Sequence, residues 1–255
     1  MITMSALGPF GDAINFIFHE RQSEAGTVRI GGLGEMWELT WTHLQLSLAA
    51  TLVATLIAMP VGLYLGHIGR YQFLATSTSN IGRAVPALGL IVFFIAFLGV
   101  GFGNVCLALV LLAIPPIITN TYVGMRGVDP ETVDAANGNG LTGLQIASRV
   151  ELPLALPTIM AGIRIALVSV IATATIAPLA NVDTLGRPIV SPNVYGTAGQ
   201  LAACIVVALV TFAADGAFAA FSRAVTPRGI RIQANQGRAR YWARVPSPKR
   251  SIQST

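Results

Sequence analysis

The sequence predicts an all-α, multi-pass transmembrane helical bundle, and three observations carry that prediction. Hydrophobic residues make up 53% of the 255-residue chain and charged residues only 11%, with a mean hydropathy of +0.67. That balance is too apolar for a domain whose whole surface meets water. Apolar runs recur at about the 20-residue length that a helix needs to cross a bilayer. The short alternating strands of a membrane barrel do not occur, and the apolar runs are too long for them.

The elements follow in order. Residues 1–39 lack a basic leader and a compact apolar run ending in a small-residue cleavage site, so they are read as an N-terminal segment and not as a secretory signal. Five windows qualify as spans: 41–66, 84–100, 105–123, 158–180 and 198–222. The second has a short apolar core and needs the Ser/Thr-rich turn before Ile81 to reach the membrane face. Cys106 and Cys204 fall inside spans and are expected as small buried hydrophobes. His19, His43 and His67 are too far apart to form a local metal site and are expected at the interfaces.

Basic residues in short loops set orientation. Arg70, Arg83, Arg126, Arg149 and Arg164, together with the cluster from Arg223 to Arg250, are therefore expected inside. Arg21, Arg29 and Arg187 remain for the outer face, with Asp12, Glu20, Glu24, Glu35, Glu38 and Asp183. An odd number of spans then puts the N-terminus outside and the C-terminus in the cytoplasm. The expected division is an extracytoplasmic segment 1–39, a transmembrane unit 40–225 and a basic cytoplasmic tail 226–255. The net charge of +5 calls for no nucleic acid, because membrane lipid headgroups account for such a tail.

Between the third and fourth windows lies a polar island, residues 129–153. Asp129-Pro130-Glu131 is a strong helix start: Asp caps, Pro suits the first turn, and Glu favours the positive end of the helix dipole. Gly138 and Gly140 should end that helix. Thr142 with Gln145 makes a capping box for a second helix reaching about Leu152, and Pro153 and Pro157 then punctuate the approach to the fourth span. Two short helices about a glycine elbow make a compact knob, and the small Ala135 and Ala136 would let a partner approach closely.

The spacing Asp134-Ala135-Ala136, Gly140 and Val150-Glu151-Leu152-Pro153 resembles the EAA loop of binding-protein-dependent ABC importer permeases, with Asp for the usual Glu and Val for the usual Ile. The match extends beyond the loop. The His43-Leu44-Gln45-Leu46-Ser47 lead, Arg83-Ala84-Val85-Pro86, Pro115-Pro116 through Asn120, Tyr122 and Gly124, Ala161-Gly162-Ile163-Arg164 and Thr226-Pro227-Arg228-Gly229 are similar, in order, to the glycine betaine, choline and carnitine permeases. Asn181 to Pro188 departs from that class, which has a glycine-rich run there. The segment before Thr40 and the tail after Gly229 carry no motif.

The resemblance implies a type I ABC importer permease with about five core spans in a bacterial inner membrane. Residues 129–153 would dock on a cytoplasmic ABC ATPase dimer, with Asp134, Ala135, Ala136, Gly140, Val150, Leu152 and Pro153 as the coupling residues. It also implies a second permease chain, identical or not, and an extracytoplasmic substrate-binding protein. The chain's one lysine, Lys249, lies in no Gly-Lys-Ser/Thr loop, so ATP and Mg belong on the partner ATPase subunits and no cofactor on this chain. Pro86, Pro115, Pro116, Asn120, Tyr122 and Asp215 are the pathway candidates, because prolines interrupt spans and an acid at membrane depth must find a partner. An arginine inside the bundle is the expected partner of Asp215. Phe93, Phe94, Phe97 and Phe102 form an aromatic group near the outer end of the second window, with packing or lipid contact the expected role.

Overall fold

A computed structural model describes residues 8–26, 28–69 and 86–226. Arg70, Ile81, Arg83 and the basic tail beyond Thr226 lie outside the described residues. The chain begins with helix α1 (Gly8–Phe18) and a two-stranded antiparallel hairpin, β1 (Glu20–Gln22) and β2 (Arg29–Gly31), which pairs Arg21 with Ile30. Gly31 has φ +82°, and its backbone lies so close to Phe16 that a Cβ would stand 2.8 Å from that residue's carbonyl. The chain then turns directly into α2 (Gly32–Ile68).

Four described helices are long and apolar enough to cross a membrane. They are α2, α4 (Phe102–Arg126), the continuous helix Gly143–Ala180 and, after the short α8 (Arg187–Val190), α9 (Pro192–Val225). The second window appears as α3 (Ala87–Leu98), which at 12 residues reaches about 18 Å at 1.5 Å per residue. That is short of the roughly 30 Å hydrocarbon core. Among the described residues, four full spans and one short apolar helix therefore stand where five spans were expected.

Lipid tails are as apolar as leucine, so helix association rests on close backbone approach. Helix α2 meets that demand with small residues every fourth position: Ala50, Ala54, Ala58, Gly62 and Gly66 are all buried. A Cβ on Gly62 would stand 2.6 Å from Thr121 Cβ, and one on Gly66 2.5 Å from Met125 Cβ. Gly162, on the next helix, makes the same approach to Asn120 of α4. The core is accordingly α2 against α4 against the 143–180 helix. Helix α9 is different: only 11% of its apolar window is buried, against 39–44% in the other three.

Two expectations need correction. His43 is not interfacial but fully buried, and its Nε2–H donates to the Ile171 carbonyl at 2.9 Å across the helix packing. Cys204 is exposed and Cys106 half-buried, so neither is a fully buried core residue. Cys204 lies on the sparsely packed α9, whose apolar surface exceeds what its neighbours can cover.

A second, smaller core forms at the end away from residues 129–153. Phe16, Ile30, Met36, Leu39, Leu185, Tyr195 and Ala202 pack together there. Helix α9 is broken at Gly196 (φ +64°), and a helix break leaves backbone carbonyls that need donors. The N-terminal unit supplies them. The Glu24 N–H donates to Val194 O at 3.0 Å and Arg21 donates to Tyr195 O at 2.8 Å. The Tyr195 hydroxyl donates to Glu35, whose other oxygen accepts the Gly31 N–H at 2.6 Å.

Candidate functional site

The polar island folds as two short helices about a glycine. Helix α5 (Pro130–Gly138) starts with the Asp129 carboxylate accepting the Glu131 N–H at 3.0 Å and with Pro130 in its first turn. It ends where Asn139 donates from both backbone and side chain to the Ala135 carbonyl, at 3.1 and 2.8 Å. Gly140 follows at φ +78° with open space around it, a left-handed backbone that side-chain-bearing residues resist. Helix α6 (Gly143–Ile146) then opens with the capping box, Gln145 accepting the Thr142 N–H at 2.9 Å.

Pro153 does not separate this second helix from the following span. Residues 147–151 widen into a π turn in which the Leu152 N–H reaches back to Ala147 O, and helix α7 (Leu152–Thr173) continues from it. A proline ring collides with the carbonyl four residues before it, here that of Arg149. Widening the turn ahead of Pro153 relieves the crowding without stopping the helix. Pro157 lies inside α7, and Pro178 in the 3₁₀ turn Ala174–Ala180 that ends the same rod.

The loop has two faces. Ala136, Ile146 and Glu151 point inward and are buried, while Asp134, Ala135, Gly140 and Arg149 are exposed. Val150, Leu152 and Pro153 are half-buried, with Leu152 packed on the main core. Leu144 is 81% exposed, the most exposed large apolar side chain described. Nothing about Leu144 stands out in the sequence, where an apolar residue in the first turn of a helix reads as core-facing.

Glu151 has a partner on a distant helix: its carboxylate accepts from Nδ1 of His67 at 2.6 Å, in the last turn of α2. The pair borders a cavity of about 410 Å³ that Arg126, Asp134 and Asn137 also line. The base of the loop is thus tied to α2 as well as to α7. His67 and Glu151 lie 84 positions apart, and neither belongs to a motif that would have joined them.

The pathway candidates fall on three parts of the chain. Pro86 is the exposed residue before α3, and Pro115 (buried) and Pro116 (half-buried) sit inside an α4 that remains helical from Phe102 to Arg126. Asn120 donates to the Pro116 carbonyl at 2.8 Å, and Tyr122 is buried. Asp215 lies apart from them on α9, gripped by the guanidinium of Arg164, whose Nε and Nη2 each donate to one carboxylate oxygen. Both lie along a groove of about 530 Å³ between α7 and α9, with Met160, Ser169 and Ser222. The two side chains are 45% and 30% exposed, so the pair opens onto the groove and is not sealed within a bundle. The lightly packed α9 cannot enclose it alone.

Along α3 the Phe93 ring meets Phe94 edge-on and Phe97 at a tilt, with Phe93 and Phe97 largely exposed. The loop that departs from the glycine-rich pattern keeps Gly186, whose backbone packs against Thr175 so closely that no Cβ would fit. Thr184 anchors the same loop by donating to Ala174 O at 2.9 Å. Among the described residues no group of His, Cys, Asp and Glu is placed to hold a metal ion.

Residues 36–227 match the family described as binding-protein-dependent transport system inner membrane component. The chain is 34% identical to the carnitine transport permease protein OpuCB of Listeria monocytogenes, over 78% of this chain and 91% of that one. It is 33% identical to the glycine betaine/carnitine/choline transport system permease protein OpuCB of Bacillus subtilis, over 77% and 91%. Among solved structures, a chain of the MetNI methionine ABC transporter in an inward-facing conformation superposes with a TM-score of 0.67 at 21% identity, over 76% of this chain and 98% of that chain. The fold is that of a type I ABC importer permease, and with most of its length matched the chain belongs to the family of binding-protein-dependent transport system inner membrane components.

Proposed function

We propose that this chain is the translocation subunit of an ATP-driven importer for osmoprotectants of the glycine betaine, choline and carnitine kind. The observation that carries the reading is 33–34% identity, across nearly the full length of the relatives, to permeases named for those solutes. The solved methionine transporter shares the fold at 21% identity and says nothing of the solute.

In this reading the loop of residues 129–153 lies in the cytoplasm, with the N-terminus outside and the C-terminus inside. The exposed Asp134, Ala135, Gly140 and Leu144 dock in a groove of an ATPase dimer that binds ATP and Mg. Closure of that dimer pushes the two short helices. Because Gly143–Ala180 is one rod, the push is delivered along α7 without a joint to absorb it, and the His67–Glu151 bond carries part of it to α2. A second permease chain covers the open side of α9 and shares the Arg164–Asp215 groove, and an external binding protein delivers the solute. Neither ATP hydrolysis nor solute capture belongs to this chain.

The test is uptake of labelled glycine betaine, choline and carnitine into vesicles holding this chain with its ATPase and binding protein. ATP-dependent uptake of at least one, abolished by Gly140→Pro with loss of ATPase co-purification, is the expected result. Transport driven by an ion gradient through this chain alone would overturn it.

A further inference from the structure

The N-terminal unit precedes residue 36, where the family match begins, and the proposed cycle makes no use of it. Its helix α1 has three distinct sectors. Ala13 and Phe16 are buried against the protein, and the Phe16 ring lies edge-on to Tyr195 at 6.3 Å. Asp12 and Asn15 form an exposed polar sector. Phe10, Ile14 and Phe18, four residues apart and so on one helix face, form a third, apolar and 51–57% exposed. A helix between protein and water needs only two sectors. A large apolar third one, left uncovered, needs a third medium.

The neighbouring surface identifies that medium. Trp37 and Trp41, one turn apart at the start of α2, stack on each other at 6.4 Å and are 67% and 54% exposed. Tryptophan gathers at the membrane–water boundary, where its ring is half apolar and half polar. Further along α2 the exposed residues become Leu48, Leu52 and Leu56, an aliphatic face suited to lipid chains. Phe16 also packs against Gly31, immediately before α2, so α1 sits beside the end of α2 that carries the tryptophan pair.

We propose that α1 is an interfacial helix: Phe10, Ile14 and Phe18 enter the leaflet at which α2 begins, while Asp12 and Asn15 face headgroups and water. The lipid it fits is zwitterionic. Residues 8–31 carry three acids, Asp12, Glu20 and Glu24, against Arg21 and Arg29, so apolar insertion and not attraction to anionic headgroups holds it there. Because the same unit grips the broken start of α9 through Arg21 and Glu24, the bilayer surface becomes a support for the outer end of the last span.

The experiment uses the assembled transporter in phosphatidylcholine vesicles, with Cys106→Ala and Cys204→Ala removing the native thiols. Phe10→Cys, Ile14→Cys, Phe18→Cys, Asp12→Cys and Asn15→Cys are each labelled with an environment-sensitive fluorophore. At positions 10, 14 and 18 the expected result is blue-shifted emission that a shallow doxyl-labelled lipid quenches and aqueous iodide does not. The reverse is expected at 12 and 15, and added phosphatidylglycerol leaves the pattern unchanged. All five positions exchange exposed side chains, so each variant keeps the packed sector, and elution of the assembled complex confirms it. Equal iodide quenching at all five would put the stripe in water. Protection of positions 10, 14 and 18 from both quenchers would assign it to a neighbouring protein chain, and a pattern appearing only with anionic lipid would replace apolar insertion by charge. Each of these overturns the proposal.

Discussion

The contact between His67 and Glu151 makes a quantitative prediction because its two halves are unequally buried. The Glu151 side chain is 8% exposed and that of His67 32%, at 2.6 Å. In His67→Ala the carboxylate keeps its burial and loses its partner, and leaving a buried acceptor unsatisfied costs about 1–3 kcal/mol, more when it is charged. The expected loss is therefore about 3 kcal/mol. In Glu151→Leu the imidazole turns to water, which it already meets, and leucine fills the site, so the expected loss is under about 1 kcal/mol. The double variant should then resemble Glu151→Leu: the second change rescues the first. Denaturant titration of the four proteins in mixed micelles measures this, and ATP-driven uptake measures whether the loop still pulls on α2. Additive losses, within about 0.5 kcal/mol, would show that the two residues do not act as a pair and would remove α2 from the proposed linkage.

Gly62→Val and Gly66→Val force side chains into contacts that start at 2.6 and 2.5 Å; each should cost about 1–3 kcal/mol, read in the same titration, with Gly34→Val, which has open space, as the near-neutral control. Gly140→Val puts a β-branched residue at φ +78°, a strain of order 1–3 kcal/mol, and should lower ATPase co-purification while leaving the spans folded. Leu144→Asp, at a side chain 81% exposed, should leave thermal stability unchanged and weaken the same complex; unchanged pull-down would move the docking face elsewhere. Asp215→Asn removes the counter-ion of Arg164, and uptake should fall while the reciprocal exchange Arg164→Asp with Asp215→Arg restores part of it. Full uptake by Asp215→Asn would show that the pair is dispensable.

Much of the loop was legible because its signals are local. The Asp129 cap, the Thr142–Gln145 box and the left-handed Gly140 each depend on residues within a few positions, and local hydrogen bonding dictates them whatever the chain packs against. Pro153 and Pro157 punctuate the approach to the fourth span as local signals, but how the chain passes them is a matter of the fold: residues 147–151 widen into a π turn ahead of Pro153, and the rod stays continuous. The expectation for His43 failed because its burial depends on the Ile171 carbonyl of a helix 128 positions away. The N-terminal unit carries no motif, and its hold on the broken start of α9 joins Arg21 to Tyr195, 174 positions away, and Glu24 to Val194.

By itself the sequence determined the membrane class, the helical character of the chain and the polar knob between apolar blocks. These rest on composition, period and capping, which act over one or two turns. The tertiary structure decided which residues meet: Gly62 and Gly66 on Thr121 and Met125, Glu151 on His67, Asp215 on Arg164. It also decided that α9 is left largely bare. The reason is physical. In lipid the choice among helix pairings turns on how closely backbones can approach, a property of two surfaces together that neither stretch of sequence carries alone.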